Sequence, residues 1–62
     1  MCLSTVYKLD SSGTKKMLAS DVASVRYVDG KLIFSDIMGI QTETTGQISH
    51  VDLMDNYIYI TE

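Results

Sequence analysis

The chain has 62 residues, a formal net charge of −3, no proline and one cysteine, Cys2. A domain this short buries only about 60% of the surface its unfolded chain exposes, so it needs a staple. An internal disulfide is excluded by the lone cysteine, which leaves a metal or self-association. The acidic balance, with five cations, scattered apart from the Lys15-Lys16 pair, against eight carboxylates, argues against nucleic acid, whose binders draw affinity from Lys and Arg on phosphates.

Taken in order, residues 2–9 read as a first strand and Asp10-Ser11-Ser12-Gly13 as a turn. A second strand is predicted over 14–18. Ser20-Asp21-Val22-Ala23 reads as one helical turn with Ser20 as its cap. Val25-Arg26-Tyr27-Val28 and Lys31-Leu32-Ile33-Phe34 then flank Asp29-Gly30, a pair suited to a type I′ hairpin turn. A two-residue turn pairs 28 with 31, 27 with 32, 26 with 33 and 25 with 34. It puts Val25, Tyr27, Leu32 and Phe34 on one face, the expected core face.

Gly39 and Gly46 bracket a further strand candidate over 40–45, with Gly46 suited to a bulge or tight bend. Residues 48–54 and 57–61 form a second hairpin around Asp55-Asn56, pairing Leu53 with Ile58 and Val51 with Ile60. Its outer face carries His50, Asp52, Met54, Tyr57, Tyr59 and Thr61, which is either an ordinary surface or an interface rich in Tyr and Met. The first strand has two readings. Cys2, Ser4, Val6 and Lys8 share one face; Leu3, Thr5, Tyr7 and Leu9 share the other, and composition favours burying the second set. Five or six short antiparallel strands in one domain, 1–62, make an all-β fold, and closure into a small SH3-like barrel would remove the edges.

No stretch is long and apolar enough to cross a membrane. The first apolar run is broken by Ser4, Thr5 and Lys8, unlike a signal peptide, and a single cysteine fits a reducing cytoplasm. Catalysis finds no support: no nucleophile, base and acid stand in telling sequence positions, and no Gly-rich phosphate loop follows a strand. The chain therefore reads as a binding protein and not an enzyme.

Metal chemistry centres on Cys2. Closed zinc sites want four Cys or His ligands, and one chain offers only Cys2 and His50. Removal of Met1 would expose Cys2 as the N-terminal residue, with its α-amine and thiolate forming a five-membered chelate. The Leu3 amide nitrogen could deprotonate and extend the donor set. Such planar nitrogen and sulfur donors suit nickel or copper. The alternative for Cys2 is a small buried hydrophobe, and for His50 a surface histidine.

Met1-Cys2-Leu3-Ser4-Thr5-Val6-Tyr7 resembles the opening of the CooT-type family of small nickel-binding proteins. The likeness continues through Asp21-Val22, Asp29-Gly30, Asp36-Ile37-Met38-Gly39 and Val51-Asp52-Leu53. The resemblance implies an SH3-like barrel, a homodimer and Ni(II) held through Cys2, with a metallochaperone role toward a nickel enzyme such as carbon monoxide dehydrogenase. It also implies that Cys2, Ser4 and Val6 turn inward, against composition. The family has been labelled as RNA-binding too, which the acidic balance opposes here. The leading expectation is a homodimer binding nickel through Cys2, with Leu3 contributing its amide. The alternative is a metal-free barrel that binds protein or RNA.

Overall fold

A computed structural model describes residues 2–62, so the fate of Met1 lies outside it. Six strands form one sheet: β1 (Ser4–Leu9), β2 (Lys15–Val28), β3 (Lys31–Asp36), β4 (Gln41–Thr44), β5 (Gln47–Asp52) and β6 (Tyr57–Thr61). Their order is β4-β3-β2-β1-β6-β5. Four neighbour pairs are antiparallel as predicted, while β1 and β6 run parallel. This pairing joins the two ends of the chain, and no local turn signal announces it.

The predicted helical turn at residues 20–23 is absent, and the predicted strand over 14–18 is the first part of one 14-residue strand, β2. Asp21 takes φ 53°, a left-handed conformation that a short polar side chain tolerates. Register shifts against β1 and β3 cluster around it. The bulges bend β2, so its first half pairs with β1 and its second half with β3. Val22, read as part of a helix, is instead buried at the bend.

The Asp29-Gly30 hairpin has the predicted register and positive φ at both turn residues. Its core face is only half as expected. Leu32 and Phe34 are buried, but Val25 is 37% and Tyr27 68% exposed. Both lie beyond the bend, where no neighbouring element covers them.

The C-terminal hairpin differs by two residues from its predicted register. Val51 pairs with Ile58 and Ile48 with Ile60; Leu53 belongs to a four-residue connection with Met54, Asp55 and Asn56. The Asp52 carboxylate accepts hydrogen bonds from the backbone N–H of Met54 at 3.0 Å and of Asp55 at 2.7 Å. Asn56 takes φ 59°. Those two devices stabilise the longer loop over the two-residue one. A bulge between Ile48 and His50 returns His50 to the outer face beside Tyr59.

The core is Val6, Val22, Leu32, Phe34, Ile58 and Ile60, drawn from β1, β2, β3 and β6. Val6 is fully buried, so the inward set of β1 is the one that includes Ser4, Val6 and Lys8, not the one composition favours. The end strands β4 and β5 are not hydrogen-bonded neighbours, so the barrel keeps a seam. Lys8 reaches across that end. Its ammonium donates to Thr44 Oγ1 at 3.0 Å and to a Glu62 carboxylate oxygen, and Thr45 Oγ1 donates to the same carboxylate at 2.8 Å.

Three carboxylates are held below their ordinary pKa: Glu62 chiefly by the Lys8 hydrogen bond, Asp52 by the Asp55 N–H and Asp10 by Ser12. A depressed carboxylate stabilises the fold above its ordinary value, 4.5 for Glu and 3.8 for Asp, and that contribution is lost as pH falls through the folded value. The urea midpoint is therefore expected to drop on acidification through this range. In Glu62→Gln the drop is shallower; an identical acid limb in that variant would show that the clasp does not contribute.

Candidate functional site

Cys2 lies just before β1 and its thiol is exposed, so the inward turn implied by the family likeness does not extend to it. Leu3 beside it is half-buried. The register places Cys2 in the fold. Ser4 stands opposite Val22, which stands opposite Asp36; Thr5 stands opposite Tyr57, which stands opposite Asp52. β1 starts, β3 ends, β5 ends and β6 starts along this one margin of the sheet. The turn between β3 and β4 and the loop between β5 and β6 leave from the same margin as Cys2.

Both connections are apolar and exposed. The first carries Ile37, Met38 and Ile40, the second Leu53 and Met54, with Met38 at 80% and Met54 at 92% exposure. Their backbones are ordered by carboxylates: Asp36 accepts from the N–H of Met38 at 2.8 Å and of Ile40 at 3.0 Å, as Asp52 does in the other loop. Held loops that present large apolar side chains are an arrangement for contact with another surface.

Among the described residues no three His, Cys, Asp or Glu side chains converge as a metal set. A metal at Cys2 would have to take its further donors from the main chain or from a second chain. His50 is engaged elsewhere, its Nε2 4.0 Å from Asp52 Oδ2 and its ring against Tyr57 and Tyr59.

The outer face of β1 and β6 holds a second grouping. Tyr57 and Tyr59 have ring centroids 4.7 Å apart, and Tyr7 meets Tyr59 edge-on at 5.9 Å. Lys15 Nζ lies 5.0 Å from the Tyr7 ring centroid and 5.6 Å from that of Tyr59, and 3.4 Å from the Tyr59 hydroxyl. Burial, and then the Asp52 charge, push the Tyr57 hydroxyl above its ordinary pKa. Tyr57 and Tyr59 were legible as outward residues. Tyr7 and Lys15 were not, because they join the group only through β1's pairing with both β2 and β6.

A family described as CO dehydrogenase accessory protein CooT matches residues 1–61. The chain belongs to the CooT family. Its assignment is to an accessory protein family, not to a family of catalysts. No curated protein matches the chain. A crystal structure of a CooT protein from Carboxydothermus hydrogenoformans superposes with a TM-score of 0.89, covering 98% of this chain and 97% of the other at 15% identity. At that identity the likeness establishes a shared fold. No helix is long and apolar enough to cross a membrane among the described residues.

Proposed function

We propose that this CooT-family chain is a Ni(II)-binding accessory protein, a homodimer that holds one nickel ion between the Cys2 residues of its two protomers. The observation that carries the reading is the exposure of Cys2, the sole thiol of a chain in a CO dehydrogenase accessory family. One thiolate leaves a metal under-coordinated. The Leu3 amide and a second copy's Cys2 are the donors that complete a nitrogen and sulfur set of the kind nickel accepts.

The apolar loops beside Cys2 support self-association at this margin. Ile37, Met38, Ile40, Leu53 and Met54 would be covered by a second copy, which also supplies the area a 62-residue chain lacks. The family description names CO dehydrogenase as the enzyme served, and delivery of nickel to it is the client reaction that fits a nickel-binding accessory. An accessory of this kind works where thiols stay reduced, in the cytoplasm.

A nickel titration followed by absorption, with the assembly mass measured by sedimentation, tests the reading. The expected result is a thiolate-to-nickel band that saturates at one ion per two chains. Saturation at one ion per chain in a monomer would overturn the shared site.

A further inference from the structure

We propose that Asp52 is a positioning residue for the segment that carries Cys2. Through the loop it caps, it fixes where residues 2–4 leave the sheet, and so the geometry in which Cys2 and the Leu3 amide meet nickel. The nickel part rests on the function proposed above; the positioning part stands on hydrogen bonds within the chain.

Asp52, Tyr57 and Thr5 form one row across β5, β6 and β1. The chain leaves this row at Asp52, passes through Leu53, Met54, Asp55 and Asn56, and re-enters it at Tyr57. Asp52 Oδ1 accepts from the N–H groups of both Met54 and Asp55, which folds the loop back on its own strand. The other oxygen of the carboxylate faces His50 Nε2 at 4.0 Å. The loop ends on Asn56 in the left-handed region, which Asn tolerates better than most residues. From there the Asn56 carbonyl accepts the Thr5 N–H at 3.0 Å. One carboxylate therefore governs the carbonyl that ties down the start of β1.

That tie is the regular one at this point of the fold. On the β2 side the register shifts between Ser4 and Val6, so β1 starts there against a bulge. On the β6 side the parallel pairing runs unbroken from Thr5 to Leu9, and the Asn56–Thr5 bond stands at its head. Cys2 lies three residues before Thr5, a reach of at most about 11 Å of chain. With Thr5 fixed, the donors of Cys2 and Leu3 explore a small volume at a set angle to the sheet. With Thr5 released, they must be ordered as the metal binds, at a cost in entropy. The other capped loop supplies the contrast. Asp36 holds Met38 and Ile40 in the same manner, but that loop is tied to β2, where Ile37 N–H donates to the Asp21 carbonyl at 3.2 Å.

Amide hydrogen exchange and nickel titration test this on Asp52→Ala, Asp52→Asn and Asp36→Ala, each beside the natural chain and Cys2→Ala. In Asp52→Ala the Thr5 N–H is expected to exchange about fivefold or more faster relative to core-strand amides, the scale of a lost capping side chain. Nickel affinity falls by roughly 10–100-fold, as when the support of a ligand is removed. The thiolate-to-nickel band of the bound form persists, because Cys2 is still the ligand. Asp52→Asn keeps a side-chain oxygen able to cap the same N–H groups and restores both exchange and affinity. Asp36→Ala leaves Thr5 exchange unchanged. Unaltered Thr5 exchange in Asp52→Ala, or unaltered nickel affinity in that variant, overturns the inference. Equal loosening of Thr5 by Asp36→Ala overturns it in favour of general destabilisation, and failure of Asp52→Asn to rescue overturns it in favour of a charge effect. A natural chain without a thiolate-to-nickel band overturns the nickel reading instead, and Thr5 exchange then decides the positioning on its own.

Discussion

Replacing Cys2 with alanine is expected to eliminate the thiolate-to-nickel absorption and weaken nickel binding by more than about 100-fold. Changes to residues that merely support a ligand cost roughly 10–100-fold in metal affinity, so loss of the ligand itself exceeds that range. No other cysteine can substitute, and no converging set of three donor side chains stands in reserve among the described residues. The fold is not at stake. Cys2 is exposed and precedes the first strand, and surface substitutions of this kind change stability by within about 0.5 kcal/mol. Cys2→Ser separates thiolate chemistry from size: it keeps the shape and loses the absorption. Nickel bound by Cys2→Ala as tightly as by the natural chain would refute the site. Unchanged binding in Cys2→Ser alone would assign the affinity to the backbone donors.

Gly46→Ala is expected to destabilise the domain by about 2–5 kcal/mol, combining backbone strain with forced overpacking. Gly46 has φ +116°, which L residues rarely adopt, and an added Cβ would meet the Thr61 carbonyl oxygen at 2.5 Å and Ile60 Cγ2 at 3.2 Å. Neither neighbour can yield easily. Thr61 is paired on both sides, with Leu9 and Gln47, and Ile60 is fully buried. A domain of this length has a total stability on the order of 3–9 kcal/mol at 0.05–0.15 kcal/mol per residue. The substitution therefore removes much of the margin. Gly30→Ala is the comparison. It also has positive φ, +79°, but an added Cβ meets nothing within 4 Å, so only backbone strain of about 1–2 kcal/mol applies. Urea midpoints of the two variants check this. Equal losses would mean that the contact with Thr61 is relieved at no cost.

The contrast between those glycines reflects how the chain could be read. Asp29-Gly30 declared its turn, its register and its positive φ from two residues, because a hairpin is local. Gly46 was legible as a bend, but not as the place where the β4–β5 connection presses on β6. That approach depends on the β1–β6 pairing.

The same division holds for the site. Alternation identified His50, Tyr57 and Tyr59 as outward residues, and Cys2 stood out as the single thiol. The loop at 53–56 was misread, because Asp52's capping of two N–H groups competes with a shorter turn that sequence pattern alone favours. Ser20 reads as the N-cap of a helical turn, but Asp21 beside it takes the left-handed conformation inside a strand, which a short polar side chain tolerates.

What the sequence determined by itself was the class: all-β, small, with one cysteine to spend and too little length to bury a large core. These follow from composition, turn chemistry and strand period, which act over a few residues. Only the tertiary structure decided which face of β1 is buried, that Cys2 stays exposed at the same margin as two apolar loops, and that Tyr7 and Lys15 join Tyr59. Each depends on β1 pairing with strands far along the chain, and such contacts are selected by the packing of the whole sheet.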